Sequence, residues 1–129
     1  YRCALYASCR LVTYLLLLPM DYRIEYYSAD VQDQILSLPD TLAARYIVLT
    51  RRIVALGANL GEPHTKAMGE GLFELRLKGA EGIARVFYCT VVGKRIFMLH
   101  AYVKKTQKAP KADVQLGITR MKEVKRAHS

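Results

Sequence analysis

Three strand-patterned segments follow one another between Leu72 and Tyr102, interrupted only at Gly79 to Gly82 and at Gly93-Lys94, and this succession constrains the fold more than any other feature. An antiparallel meander is the economical arrangement. In the first segment Phe73, Leu75 and Leu77 point one way and Glu74, Arg76 and Lys78 the other. The second, Ala84 to Val92, is mostly β-branched and aromatic, so its faces do not separate by pattern. In the third, Arg95 to Val103, the residues Phe97, Leu99, Ala101 and Val103 oppose Ile96, Met98, His100 and Tyr102. The first set is the expected core face, and one further step along the second brings Lys104 into line with His100 and Tyr102.

A sheet with an apolar face needs helices to cover it, and the flanking segments supply them. Tyr22 to Tyr27 alternates Tyr22, Ile24 and Tyr26 with Arg23, Glu25 and Tyr27, which predicts a strand. Ser28 suits a helix N-cap, Asp30 and Asp33 suit the first turn, and Val31, Ile35 and Leu38 form a stripe that Pro39 ends. A second helix from Asp40 or Thr41 carries Leu42, Tyr46, Leu49, Ile53 and Leu56 on one stripe, with Gly57 at its C-terminal cap. Residues 57–71 are expected to be a loop, being dense in turn formers. Pro110 opens a last helix with Val114, Ile118 and Met121 on one face and Arg120, Lys122, Lys125 and Arg126 towards its C-terminal end; Gly117 is expected to weaken it. The order β-α-α-β-β-β-α predicts an α+β domain, an antiparallel sheet with an N-terminal helical hairpin and a C-terminal helix, the helices packed on one side.

A chain of 129 residues can bury one sizeable core, so residues 20–129 are expected to be a single domain. Residues 1–19 hold an apolar run, Leu11 to Leu18, too short to span a membrane and followed by Pro19, Met20 and Asp21 in place of a small-residue cleavage site. They are read as a non-native or mis-assigned extension. The cysteines, Cys3, Cys9 and Cys89, form neither a disulfide framework nor a zinc pattern, which favours a reducing, cytoplasmic setting.

The net charge of +9 lies entirely in the second half: residues 1–63 hold 6 Lys+Arg and 6 Asp+Glu, residues 64–129 hold 14 and 5. Nucleic acid is the natural polyanionic partner of such a half, although a solvated basic face would look the same. Walker, dinucleotide-binding and GxSxG motifs are absent, and His64, His100 and His128 lack partners at metal-ligand spacing, so neither a metal nor a small-molecule cofactor is expected. What remains is a set of cations with one histidine and one tyrosine: Lys66, Arg76, Lys78, Arg85, His100, Tyr102, Lys104, Lys105 and Lys108. Cleaving RNA without a metal requires activation of a 2′-hydroxyl, stabilisation of a phosphorane and protonation of the departing 5′-oxygen. Arginine and lysine can do the second task, and His, Tyr or a neutralised Lys the proton transfers.

The segments Leu72-Phe73-Glu74-Leu75-Arg76, Ala84-Arg85-Val86-Phe87-Tyr88 and Leu99 to Pro110 (LHAYVKKTQKAP), in that order, resemble the RelE/HigB toxin superfamily, specifically its phage-derived HigB-like branch, over residues 21–126. The resemblance implies a RelE-like compact domain and a type II toxin–antitoxin toxin: a metal-independent endoribonuclease that cuts mRNA on the ribosome, inhibits translation and arrests growth until bound by its antitoxin, often a helix-turn-helix protein. It implies Arg85 at the scissile phosphate, Arg76 as the strand arginine of the ELR motif, and Lys104 and Lys105 among the basic residues after the last strand. His100 and Tyr102 join the arginines as catalytic candidates, and Lys66, Lys78, Lys104, Lys105 and Lys108 are the RNA-binding candidates. RelE-type enzymes usually carry lysines on the strand holding Leu72 and Glu74; this chain has neither, so Lys66, His100 or Tyr102 would have to serve as base. A ParE-like toxin acting on gyrase, or a module that binds RNA or antitoxin without catalysis, are the alternative readings.

Overall fold

The computed structural model describes residues 21–104 and 110–128. Its centre is the meander: β3 (Leu72–Gly79), β4 (Gly82–Val91) and β5 (Arg95–Val103) pair antiparallel, Arg76 opposite Arg85 and Arg85 opposite Tyr102. Two edge strands complete a five-stranded sheet. β1 (Arg23–Tyr26) lies parallel to β5, and β2 (Thr65–Gly69) pairs antiparallel with β3, giving the order β1-β5-β4-β3-β2.

β2 falls inside the segment expected to be a loop. Its sequence, Thr-Lys-Ala-Met-Gly, has no apolar alternation because an edge strand at the rim of the core buries little; only Thr65 is fully enclosed. Pairing with β3 and a tight reversal at Glu70-Gly71, both at positive φ (55° and 90°), hold it in place.

The two N-terminal helices are as the periodicity predicts. In α1 (Ala29–Leu36) the Val31 N–H donates to Ser28 Oγ at 3.3 Å, the expected N-cap. In α2 (Asp40–Leu56) Leu42, Tyr46, Leu49 and Ile53 are buried, whereas Leu56, expected on the same stripe, is exposed at the helix end. Gly57 closes α2 with φ 109°, its N–H donating to Ile53 C=O at 2.8 Å.

The helices do not share one side of the sheet. α1 and α2 pack on the face carrying Leu75, Leu77, Ala84, Val86, Tyr88, Ile96, Met98 and Ala101. The last helix, α3 (Lys111–Ala127), covers the opposite face through Met121 and Val124, against Leu72, Phe87, Cys89, Phe97 and Leu99. The sheet is therefore apolar on both faces, and the expectation of one core face on β5 is corrected. Ile96 and Met98 alternate with Phe97 and Leu99, and a bulge then re-phases the end of the strand. Phe87 pairs with His100 and Tyr88 with Met98, so Leu99 is an extra residue on β5; it returns Ala101 to the side of Ile96 and Met98 and puts Tyr102 with Phe97 and Leu99.

Gly117 has a different role from the one expected. It is buried where α3 crosses Phe87, and a Cβ there would meet the Phe87 side chain at 3.2 Å. The missing side chain lets the helix approach the sheet closely. Tyr27 Oη donating to Glu123 Oε1 (2.9 Å) and Arg120 Nη1 donating to Leu99 C=O (2.8 Å) fasten α3 to the strands beneath it.

Candidate functional site

Beyond the N-terminal end of α3 the same sheet face is left bare of helix, and there the strand pairing sets polar side chains in rows. Lys66, Glu74, Phe87 and His100 form one row across β2, β3, β4 and β5. Arg76, Arg85 and Tyr102 form the next, and Lys78 and Ile83 a third, with Lys104 N–H donating to Ile83 C=O at 2.7 Å. Two-residue periodicity along each strand keeps all three rows on one face.

A cleft of about 130 Å³ opens between the first two rows, lined by Lys66, Met68, Glu74, Arg76, Arg85, Tyr102 and Lys104. Four cations and one carboxylate thus face a single small volume. Glu74 is buried, and its Oε1 lies 3.2 Å from Arg76 Nε and 3.6 Å from Arg85 Nε. Glu62, exposed on the preceding loop, reaches Arg76 Nη1 at 3.2 Å. One carboxylate between two guanidinium groups fixes their planes and lowers their mutual repulsion, while leaving the cleft with an excess of positive charge.

Tyr102 sits at the end of the arginine row. Burial, followed by the nearby Glu74 carboxylate, pushes its phenol up to about 12; Asp113 adds to the rise and Arg85 opposes it. The hydroxyl is a proton donor at neutral pH. Its ring stacks on His100 with centroids 5.9 Å apart. His100 is buried and does not line the cleft; its Nε2 is 2.5 Å from Asp113 Oδ1 in the first turn of α3. Neither the His100 Nδ1 nor the Tyr102 hydroxyl has a hydrogen-bond partner among the described residues.

A second cleft, of about 250 Å³, shares Arg76 and Arg85 with the first and adds Arg45, Pro63, His64, Lys78 and Ile83. It exists because β2 stops short. Arg76 N–H donates to His64 C=O (2.8 Å), and beyond that bond no strand pairs with the outer edge of β3, where Lys78 and α2's Arg45 line the same cleft.

Of the residues singled out from sequence, Lys66, Arg76, Arg85, Tyr102 and Lys104 line one cleft, Lys78 lines its neighbour and His100 backs Tyr102. Lys105 and Lys108 lie outside the described residues, as does the 1–19 extension. Sequence reasoning set Glu74 beside Arg76 and Lys78 on one strand face but gave it no role, and it missed His64, Arg45 and Asp113. Arg45 and His64 meet through helix docking and the chain's return to β3, and Asp113 reaches His100 through the docking of α3, none of which leaves a local mark. Cys89, buried in β4, has its thiol pushed up to about 11 by burial, against a small opposing effect of Lys125, and offers no thiolate nucleophile near pH 7.

Among the described residues no group of three or more His, Cys, Asp or Glu side chains could hold a metal ion, and no helix is long and apolar enough to cross a membrane. No curated protein matches the chain. A family model described as "Phage derived protein Gp49-like (DUF891)" matches residues 33–122, from within α1 to within α3, and so includes every described residue of both clefts. With most of its length matched, the chain belongs to this phage-derived Gp49-like family, a RelE/toxin-like family of toxin–antitoxin systems.

Proposed function

We propose that the chain is a type II toxin of the HigB-like branch, a ribosome-dependent endoribonuclease that cuts mRNA and is neutralised by a cognate antitoxin, a helix-turn-helix protein. The observation that carries this reading is the arginine row: Arg76, Arg85 and Tyr102 aligned across three strands, with Lys66 and Lys104 beside them in one cleft. In cleavage the 2′-oxygen attacks phosphorus and the bond to the 5′-oxygen breaks, so negative charge builds on the phosphorane and a proton must reach the leaving oxygen. Arg85, only 11% exposed, and Arg76 face the developing charge from a partly desolvated wall, where such stabilisation is strongest. Tyr102, protonated at neutral pH, donates to the 5′-oxygen. Glu74, the carboxylate of the cleft, accepts the 2′-hydroxyl proton in place of the Lys66, His100 or Tyr102 expected from sequence. His100, held by Asp113, supports the Tyr102 ring. The scarcity of other acid–base groups fits an enzyme that relies on the ribosome to position its substrate.

Inducible expression of the chain in bacteria, with growth recorded and mRNA 5′ ends mapped, tests this reading. The wild type should arrest growth with new cuts inside translated frames, and Arg85→Ala should lower cleavage about 100- to 1,000-fold while still binding antitoxin. Arrest without cuts would redirect the function to gyrase; no arrest from folded protein would leave a binding module.

A further inference from the structure

Apart from the shared Arg76 and Arg85, the second cleft has no part in the chemistry described above, yet its composition is not that of a solvated charge cluster. Arg45 and Lys78 join the shared arginines, no carboxylate lines the wall, and Pro63, His64 and Ile83 give it a partly apolar side. Arg45 and His64 are half-buried, and His64 is fixed by the bond from its carbonyl to the β3 backbone. The smaller cleft suits a phosphodiester. The larger, with roughly twice the volume, gives more space, enough for a phosphate together with part of the nucleoside it is esterified to.

We propose that the cleft bounded by Arg45, Pro63, His64, Lys78 and Ile83 is a subsite for the nucleotide next to the scissile phosphate, so that single-stranded RNA crosses the free edge of β3 with consecutive phosphodiesters on either side of the Arg76–Arg85 pair. This rests on the RNA reading of the first cleft. Two clefts with a common wall are adjacent sites, and they match neighbouring phosphates of one strand better than two independent anions. Arg45 and Lys78 hold the second phosphodiester, while its base lies against Pro63, Ile83 and the His64 ring, contacts that every base can make. Glu62, on the rim, pairs with Arg76 until the strand enters.

The test uses the full chain and two uncleavable 2′-O-methyl oligonucleotides, a dinucleotide with one phosphodiester and a trinucleotide with two, titrated by NMR. The wild type should bind the trinucleotide about tenfold more tightly than the dinucleotide, as expected for one further charge-assisted contact. Arg45→Ala with Lys78→Ala should erase that advantage and leave dinucleotide affinity within about twofold; Arg45→Ala alone should reduce the salt slope for the trinucleotide by about 0.7. Arg85→Ala should weaken both ligands. If Arg85→Ala weakens both while the Arg45 and Lys78 variants leave the trinucleotide advantage intact, the subsite is overturned and the RNA reading survives. If Arg85→Ala changes neither affinity, or the wild type binds neither oligonucleotide, the RNA reading fails and the subsite with it.

Discussion

At the scale of single residues, the site depends on where a few polar groups are kept from water. Glu74 binds two arginines at once, so each guanidinium has a fixed direction. Tyr102 carries a consequence for stability. Its folded pKa of about 12 lies above the unfolded value near 10, so the folded state holds the phenolic proton more tightly. The stabilisation is intact below pH 10 and is lost as pH rises from 10 to 12. Urea unfolding at pH 9 to 12 should therefore show Tyr102→Phe losing less stability over this window than the wild type. The difference should be on the order of 1–2 kcal/mol, reduced from the full shift because the ring is partly solvated.

At the scale of elements, α3 depends on the absence of a side chain. Gly117→Val would press two methyl groups into Phe87, and urea unfolding should show a loss of about 1–3 kcal/mol. Helix propensity favours a side chain at position 117, while the 3.2 Å approach of Phe87 to a Cβ there opposes one. Legibility from sequence follows the same division. α1, α2, the meander and α3 were visible because each repeats an apolar spacing over several turns or pleats. β2 was not, since Thr65 to Gly69 owes its form to its neighbour, and the Leu99 bulge changes the facing of Ala101 and Tyr102 without altering any local pattern. Arg76, Arg85 and Tyr102 could be nominated as phosphate ligands from residue type and motif, but their alignment required the β3–β4–β5 register. Arg45 could not be foreseen at all, because it reaches the cleft from a helix on the other face of the sheet.

At the scale of the molecule, strand order separates local from distant pairing. β2 to β5 pair with their sequence neighbours, while β1 pairs with β5, Arg23 beside Arg95, and the Arg95 guanidinium grips Glu25 at 2.6 and 2.9 Å. Contacts close in sequence close first, since the loop entropy is smaller. Native-state hydrogen exchange should find the amides of β4 protected to the global unfolding free energy and those of β1 exchanging through a cheaper partial opening. Equal protection in both strands would contradict this order of assembly.

The parallel edge also sets a schedule for synthesis. β1 leaves the ribosome before any other described strand but has nowhere to dock until Arg95 to Val103 has emerged, and the same late strand brings Tyr102 to the arginines. A growing chain is thus without both its full sheet and its complete cleft until β5 has been made. One strand thus completes both the sheet and the cleft, and a chain in which β5 has not yet docked holds neither.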